Sequence, residues 1–330
     1  MQPYAAIPNM LFKNPPLWSD QEEEICKIIS GHVCPLKIIL KTQDDPGMLR
    51  LWIKYHQYIV GLGGLVIFDN MSTESEVSEI YESISHDVQV FRYSGFHNYV
   101  HYTDQFPNLY KALQSSCEYF IFLDTDEHLT FFDGDMKFCA DPTIIPFLQN
   151  HPDTNIFPGT WLQNITGYSD RFSLYDPFIP LKTGLKWGKP IIATKCAFEG
   201  LINHNTQLGR DLYTKPLVTN FLVLHLSKMS KLQKINANLK KLVAYGEISK
   251  IGGIEELKEI GLENMRTDQA TMYAREIFEM MAPNAPALGS LSGSVQICDN
   301  GRLICEAEWQ HQALQRFVAE PAEYTSELFS

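Results

Sequence analysis

No apolar stretch in the 330 residues approaches the ~20 that a membrane-spanning helix needs. A clustered basic run is also missing: 27 Lys and Arg stand against 39 Asp and Glu, for a formal charge of −12. Phosphate backbones demand clustered cations, so no nucleic-acid surface is expected. The seven cysteines (26, 34, 117, 139, 196, 298 and 305) are odd in number and include no Cys-x-x-Cys pair. That speaks against structural zinc and a disulfide framework, and favours reduced thiols in a cytoplasm. Met1 to Asp20 lacks a basic segment followed by an apolar one, so no signal peptide is expected. The sequon Asn164-Ile165-Thr166 then reads as a chance tripeptide. Internal repeats are absent as well.

The sequence does hold the composition of a soluble globular protein, 45% hydrophobic and 20% charged. After a Pro-rich start (1–20) and a short acidic helix (21–29), strands and helices alternate. Pro35 to Lys41 reads as a buried strand, followed by Asp44, Asp45 and Pro46, which can cap and open a helix. Met48, Trp52, Tyr55 and Ile59 recur there at helical spacing until Gly61, Gly63 and Gly64 stop it. Leu65 to Phe68 is a second strand, Val88 to Phe91 a third, and Thr103 to Ser116 a further helix. The expected fold class is α/β, a mostly parallel, doubly wound sheet with helices on both faces. Further on, strands are expected at 155–157 and 217–225, and helices at 230–245 (with Lys231, Lys234, Lys240 and Lys241) and 266–281. Asp299-Asn300-Gly301 between two alternating runs signals a tight hairpin, with Cys298 opposite Leu303.

Chemistry concentrates in one stretch. Tyr119 to Leu123 is an apolar run that ends abruptly in Asp124-Thr125-Asp126-Glu127-His128. Carboxylates at the C-terminal end of a parallel strand sit where open α/β sheets bind ligands. Two of them one residue apart can chelate a hard divalent cation, although Asp-x-Asp alone is as often an ordinary capping turn. Asp69 ends the second strand on the same edge and can accept from a base N–H. The competing reading makes it a helix cap. Thr42 and Asp44 end the first strand there too. Lys186, Lys189 and Lys195 punctuate a Gly/Pro-rich stretch, where phosphate contact competes with a plain solvated face. The basic helix at 230–245 could meet anionic lipid, but basic surface helices are common.

Four segments in order carry a resemblance: Lys41-Thr42-Gln43-Asp44-Asp45, Trp52-Ile53-Lys54-Tyr55-His56, Asp69-Asn70-Met71-Ser72-Thr73-Glu74 and Asp124-Thr125-Asp126-Glu127-His128. The chain resembles GT-A-fold glycosyltransferases of the family 2-like and family 92-like group. The likeness is good over roughly 36–130, weaker to about 245 and absent beyond about 285. Gln43-Asp44 stands where that group has Asn-Glu, and His128 where it has an aromatic.

The resemblance implies transfer of a sugar, with inversion, from a nucleotide sugar (UDP as default) to a glycan, lipid-linked or polysaccharide acceptor. It implies Mn2+ or Mg2+ as cofactor, with Asp126 as direct ligand, Asp124 toward metal or ribose, and His225 (His204 as runner-up) completing the shell. Thr42, Asp44, Asp69 and Asp124 would line the nucleotide pocket. Asp170 and Glu127 compete as the base that takes the acceptor proton. The expected organisation is an N-terminal extension (1–34), a transferase domain (35–282, divided at 130/131) and a linker with a small hairpin tail (283–330). The expected location is cytoplasmic, with peripheral contact at the inner membrane face. Two other readings are weighed: a haloacid-dehalogenase-like phosphatase, and a non-catalytic nucleotide- or glycan-binding protein.

Overall fold

The computed structural model describes residues 15–84, 88–132, 138–139, 141–164, 171–173, 188–196, 200–205, 208, 212–213, 218, 220–226, 231–249, 253–282, 294–297 and 303–305. They form two compact units, with the boundary between Trp161 and Leu162 and again between His225 and Leu226.

The first unit opens with α1 (Trp18–Gly31), then β1 (Leu36–Thr42), α2 (Pro46–Val60), β2 (Leu65–Asp69), α3 (Ser75–Ile84), β3 (Gln89–Arg92), α4 (Pro107–Ser116) and β4 (Tyr119–Leu123). It continues with β5 (Glu127–Phe132), β6 (Phe138–Cys139), α5 (Ile144–Gln149), β7 (Ile156–Asn164, the last three residues counted with the second unit), β9 (Gly188–Ala193) and β10 (Phe221–His225), with β8 belonging to the second unit. Strand order in the main path is β7-β9-β4-β1-β2-β3. β1 pairs in parallel with both β2 and β4, and β2 with β3. β9 runs antiparallel to β4 and β7, and β10 runs antiparallel to β5. The sheet is therefore mixed, which corrects the expectation of a mostly parallel one. Its parallel part is confined to the four strands that alternate with helices. The later strands β5, β6, β7, β9 and β10 enter the sheet through antiparallel pairs.

The alternation of side chains along each strand explains why helices cover both faces. Leu36, Ile38 and Leu40 of β1 pack with Ile121 and Leu123 of β4 beneath Leu49, Trp52 and Ile53 of α2. Ile39, Phe120 and Phe122 face the other way, against Ile25 and Ile29 of α1 and Leu109 and Leu113 of α4. Each such side chain, fully buried, contributes roughly 1.5–3 kcal/mol. Gly159 and Gly188 let β7 and β9 approach closely. A Cβ on Gly188 would lie 1.7 Å from the Gly159 carbonyl oxygen.

In the second unit, β8 (Arg171–Ser173) pairs with the end of β7 and with β11 (Ser294–Ile297), which pairs with β12 (Leu303–Cys305). Ile297 stands opposite Leu303, and Val295 opposite Cys305. This is one residue away from the register expected of a two-residue turn, so Leu303 does not face Cys298. Helices α6 (Lys231–Ala244), α7 (Gly253–Ile260) and α8 (Asp268–Met281) share their own apolar core around Leu242, Leu257 and Ile277. Two of the α6 lysines contact α8: the buried Lys234 pairs with Glu276 at 3.5 Å, and the exposed Lys241 lies 4.8 Å from the centre of the Tyr273 ring. The basic face is thus partly spent on helix packing. Among the described residues, no helix is long and apolar enough to cross a membrane.

Candidate active site

The C-terminal ends of β1, β2 and β4 bring three of the expected carboxylate segments to one edge, because parallel pairing fixes their register. Thr42 stands opposite Asp69, and Leu40 opposite Leu123. Thr42 is buried, and its carbonyl accepts from the Asn70 N–H at 2.8 Å. Asp45 is the residue before α2, but its carboxylate does not cap that helix. It accepts instead from the Thr125 hydroxyl at 2.8 Å, tying the end of β1 to the Asp-x-Asp turn.

Asp44 has a left-handed backbone (φ 47°), which a short polar side chain tolerates. Its carboxylate accepts from the N–H groups of Thr73 and Glu74 at 2.7 and 3.0 Å, just ahead of α3. Asp69 is buried and accepts from the Ser72 N–H (2.9 Å), the Ser72 hydroxyl (2.5 Å) and the Tyr81 hydroxyl (3.1 Å), with Arg92 3.5 Å away. Burial pushes its carboxyl above the usual range, and these donors act against that shift. In this structure both residues therefore organise the turns that lead into α3, as in the capping reading of Asp69. Met71, two residues after Asp69, holds φ 57°, unusual for a long side chain.

Asp124 and Asp126 part company. Asp124 is clamped by two ammonium groups, with Lys41 3.0 Å from one carboxylate oxygen and Lys189 3.0 Å from the other. Burial alone would raise its pKa, but the two lysines hold it well below the usual carboxylate range. Lys189 is fully buried, also reaches Glu127 at 3.4 Å, and donates to Asn203 at 2.5 Å. Burial disfavours its charge, yet Asp124 and Glu127 outweigh that and raise its pKa. The expectation that Lys189 meets phosphate or solvent is replaced by a role at the centre of a buried ion network. The exposed Lys195 donates to the Pro152 carbonyl, and Lys186 lies outside the described residues.

Glu127 is also fully buried, and burial pushes its pKa up. It accepts from the Asp124 N–H at 2.8 Å and from the Trp161 indole N–H at 2.7 Å. These contacts close the turn after β4 upon itself and leave Glu127 facing protein rather than an acceptor. Asp170, its competitor as base, lies outside the described residues.

Asp126 faces β10. Antiparallel pairing of β5 with β10 sets Glu127 opposite His225, which brings His225 Nε2 to 3.3 Å from an Asp126 oxygen. Trp161 stacks on His225 (4.7 Å between centroids, 27° between planes) and meets His204 edge-on (5.1 Å, 78°). Burial, reinforced by Lys189, lowers His204 to about 3. His204 is thus held neutral beside the indole, and His225 is the histidine that joins Asp126.

The fit to a divalent cation follows from these distances. Two ligands at right angles, each ~2.1 Å from a metal, are ~3.0 Å apart. The Asp126–His225 separation matches one such edge; a carboxylate suits manganese or magnesium, and an imidazole beside it favours manganese over the harder magnesium. Asp124 suits it less. Charges ~5 Å apart interact by about 3 kcal/mol at an effective dielectric of ~20, and each ammonium would repel a dication by twice that. Among the described residues no group of three His, Cys, Asp or Glu side chains is placed to hold a metal. A cation here would take its remaining ligands from water and substrate oxygens, as magnesium commonly does.

Sequence reasoning missed the Lys41–Asp124–Lys189 clamp and the Trp161 link. Trp161 alone carried a signal, an aromatic directly after Gly159-Thr160.

No protein-family model and no curated protein matches the chain. Among solved structures, residues 1–349 of TarS from S. aureus are similar at 11% identity, over 74% of this chain and 71% of that one, with a TM-score of 0.29. A likeness at that level carries no argument about fold or chemistry.

Proposed function

We propose that the chain is a metal-dependent glycosyltransferase that uses a nucleotide sugar, with UDP as the default nucleotide and a glycan or lipid-linked molecule as acceptor. The observation that supports this best is the Asp126–His225 pair, 3.3 Å apart at the end of a parallel strand. In sugar transfer the diphosphate leaves with added negative charge, which a bound divalent cation neutralises without proton transfer. Asp126 and His225 would hold the cation. Trp161 fixes the His225 ring by stacking. Lys41 and Lys189 hold Asp124 as a carboxylate at the nucleotide side, where it can accept from ribose hydroxyls. Glu127 is assigned to positioning, since its oxygens bind Trp161 and the Asp124 amide. Asp170 is retained as the proposed base.

A thermal-shift panel of UDP-, GDP- and CMP-sugars, with and without manganese, tests this reading. The expected result is a rise in melting temperature for one nucleotide class only when manganese is present. Equal shifts in excess chelator, or none with any nucleotide, would overturn it.

A further inference from the structure

We propose that Cys34 and Cys117 are a redox-modification site, forming a reversible disulfide on exposure to a peroxide. The pair lies at the opposite end of β1 and β4 from the candidate active site, and the proposal is independent of the sugar-transfer reading.

The geometry comes from strand register. Leu36 stands opposite Tyr119 and every later rung keeps the same offset, so the next rungs outward are Pro35 with Glu118 and Cys34 with Cys117. The backbone continues that alignment, because the Cys34 N–H donates to the Ser116 carbonyl at 3.0 Å and the Glu118 N–H to the Pro35 carbonyl at 3.0 Å. Neighbouring strands are ~4.8 Å apart, inside the Cα separation of roughly 4.4–6.8 Å that a disulfide spans. Both cysteines are free thiols.

A second observation points the same way. Lys37 is a fully buried lysine on β1 whose ammonium donates to the His32 carbonyl at 2.5 Å. Its charge acts on both thiols, and it hydrogen-bonds Cys34. Burial raises both thiols, Cys117 to about 12, while Lys37 opposes the rise in each. Lys37 thus lessens, without reversing, the rise that burial imposes on the two thiols, and the thiolate is the form that attacks an oxidant.

The chemistry balances with hydrogen peroxide as oxidant. One thiolate attacks a peroxide oxygen and becomes a sulfenic acid, while the displaced hydroxide takes up a proton and leaves as water. The second sulfur attacks the sulfenic sulfur. Its proton leaves with the sulfenic oxygen as a second water. The two thiols lose two electrons and the peroxide gains two. The product staples the starts of the two central strands.

The test treats the folded chain with hydrogen peroxide, blocks remaining thiols, and maps peptides without reduction. A Cys34–Cys117 linked peptide is expected, two hydrogens lighter than the free pair and restored by dithiothreitol. Cys117→Ser should give no link and leave Cys34 as a sulfenic acid that dimedone traps. Lys37→Met should slow closure, on the order of tenfold for each unit by which a thiol pKa rises. If Lys37→Met does not fold, the rate in the wild-type chain should still climb with pH. Two free thiols after oxidation of the folded chain, or a link joining Cys26 or Cys196 instead, would overturn the proposal.

Discussion

Replacing Lys189 with Met probes the buried network that shapes the Asp-x-Asp turn. The methionine keeps most of the volume but removes the ammonium that lies 3.0 Å from Asp124 and 3.4 Å from Glu127. Lys189 and Glu127 are fully buried, so Glu127 loses its cation inside the protein, while the partly exposed Asp124 keeps Lys41. Breaking a buried pair by removing one partner costs roughly 3–5 kcal/mol, because the remaining charge is left uncompensated. Urea unfolding at neutral pH should therefore show a loss of that size in Lys189→Met. Adding Glu127→Gln should recover part of the loss, since it removes the carboxylate that was stranded. The pH dependence gives a separate check. Asp124 has a depressed pKa in the folded chain, so its contribution is present above the ordinary carboxylate pKa and is lost as pH falls through the folded value. That acid-side loss should shrink in Lys189→Met. A cost below about 1 kcal/mol, the range of exposed pairs, together with an unchanged acid limb, would refute the buried network.

Two further perturbations follow from the same structure. Burial holds His128 at about 4. It is neutral in the folded chain, so its contribution is complete above the ordinary histidine pKa of ~6.5 and is lost as pH falls from there toward about 4. Unfolding free energies compared at pH 7 and near pH 4 should differ less in His128→Phe than in the wild type, by up to about 3 kcal/mol at 1.36 kcal/mol per unit. An identical pH dependence in the two proteins would contradict this. Gly188→Ala would set a methyl 1.7 Å from the Gly159 carbonyl oxygen, so β7 and β9 must separate beside Lys189. Soluble yield and melting temperature should both fall, with a loss above about 3 kcal/mol, beyond the usual cost of overpacking. A variant as stable as the wild type would show that the close approach is not required.

How much of this was legible in the sequence depends on whether neighbours in space were neighbours in the chain. Three of the four strands that alternate with helices announce themselves as apolar runs, because burial on both faces leaves Leu65–Phe68 and Tyr119–Leu123 without polar residues and Leu36–Leu40 with one, the buried Lys37. The helix from Pro46 to Val60 follows from apolar spacing and its stop at Gly61. The antiparallel partners of β4 and β5 are short and are recruited from far along the chain, and no local pattern states which strand they join. The hairpin register differs by one residue from that of the two-residue turn that Asn-Gly signals. At the site, Asp126 and His225 were chosen together, and β5–β10 pairing brings them within 3.3 Å. Lys189 was misread because lysine is ordinarily exposed. Its burial rests on Asp124, Glu127 and Asn203, which lie up to 65 residues away in sequence. Asp69 and Asp44 accept from turn amides, contacts set by backbone geometry that residue type does not reveal.

The central claim is that Asp126 and His225 hold a divalent cation for a nucleotide sugar. Calorimetric titration of UDP into the wild type and into Asp126→Asn, each with manganese and with excess chelator, tests it most directly. The account predicts binding by the wild type only with manganese, and loss of that binding in a variant that remains folded by circular dichroism. Equal UDP affinity in chelator, or in Asp126→Asn, would contradict it.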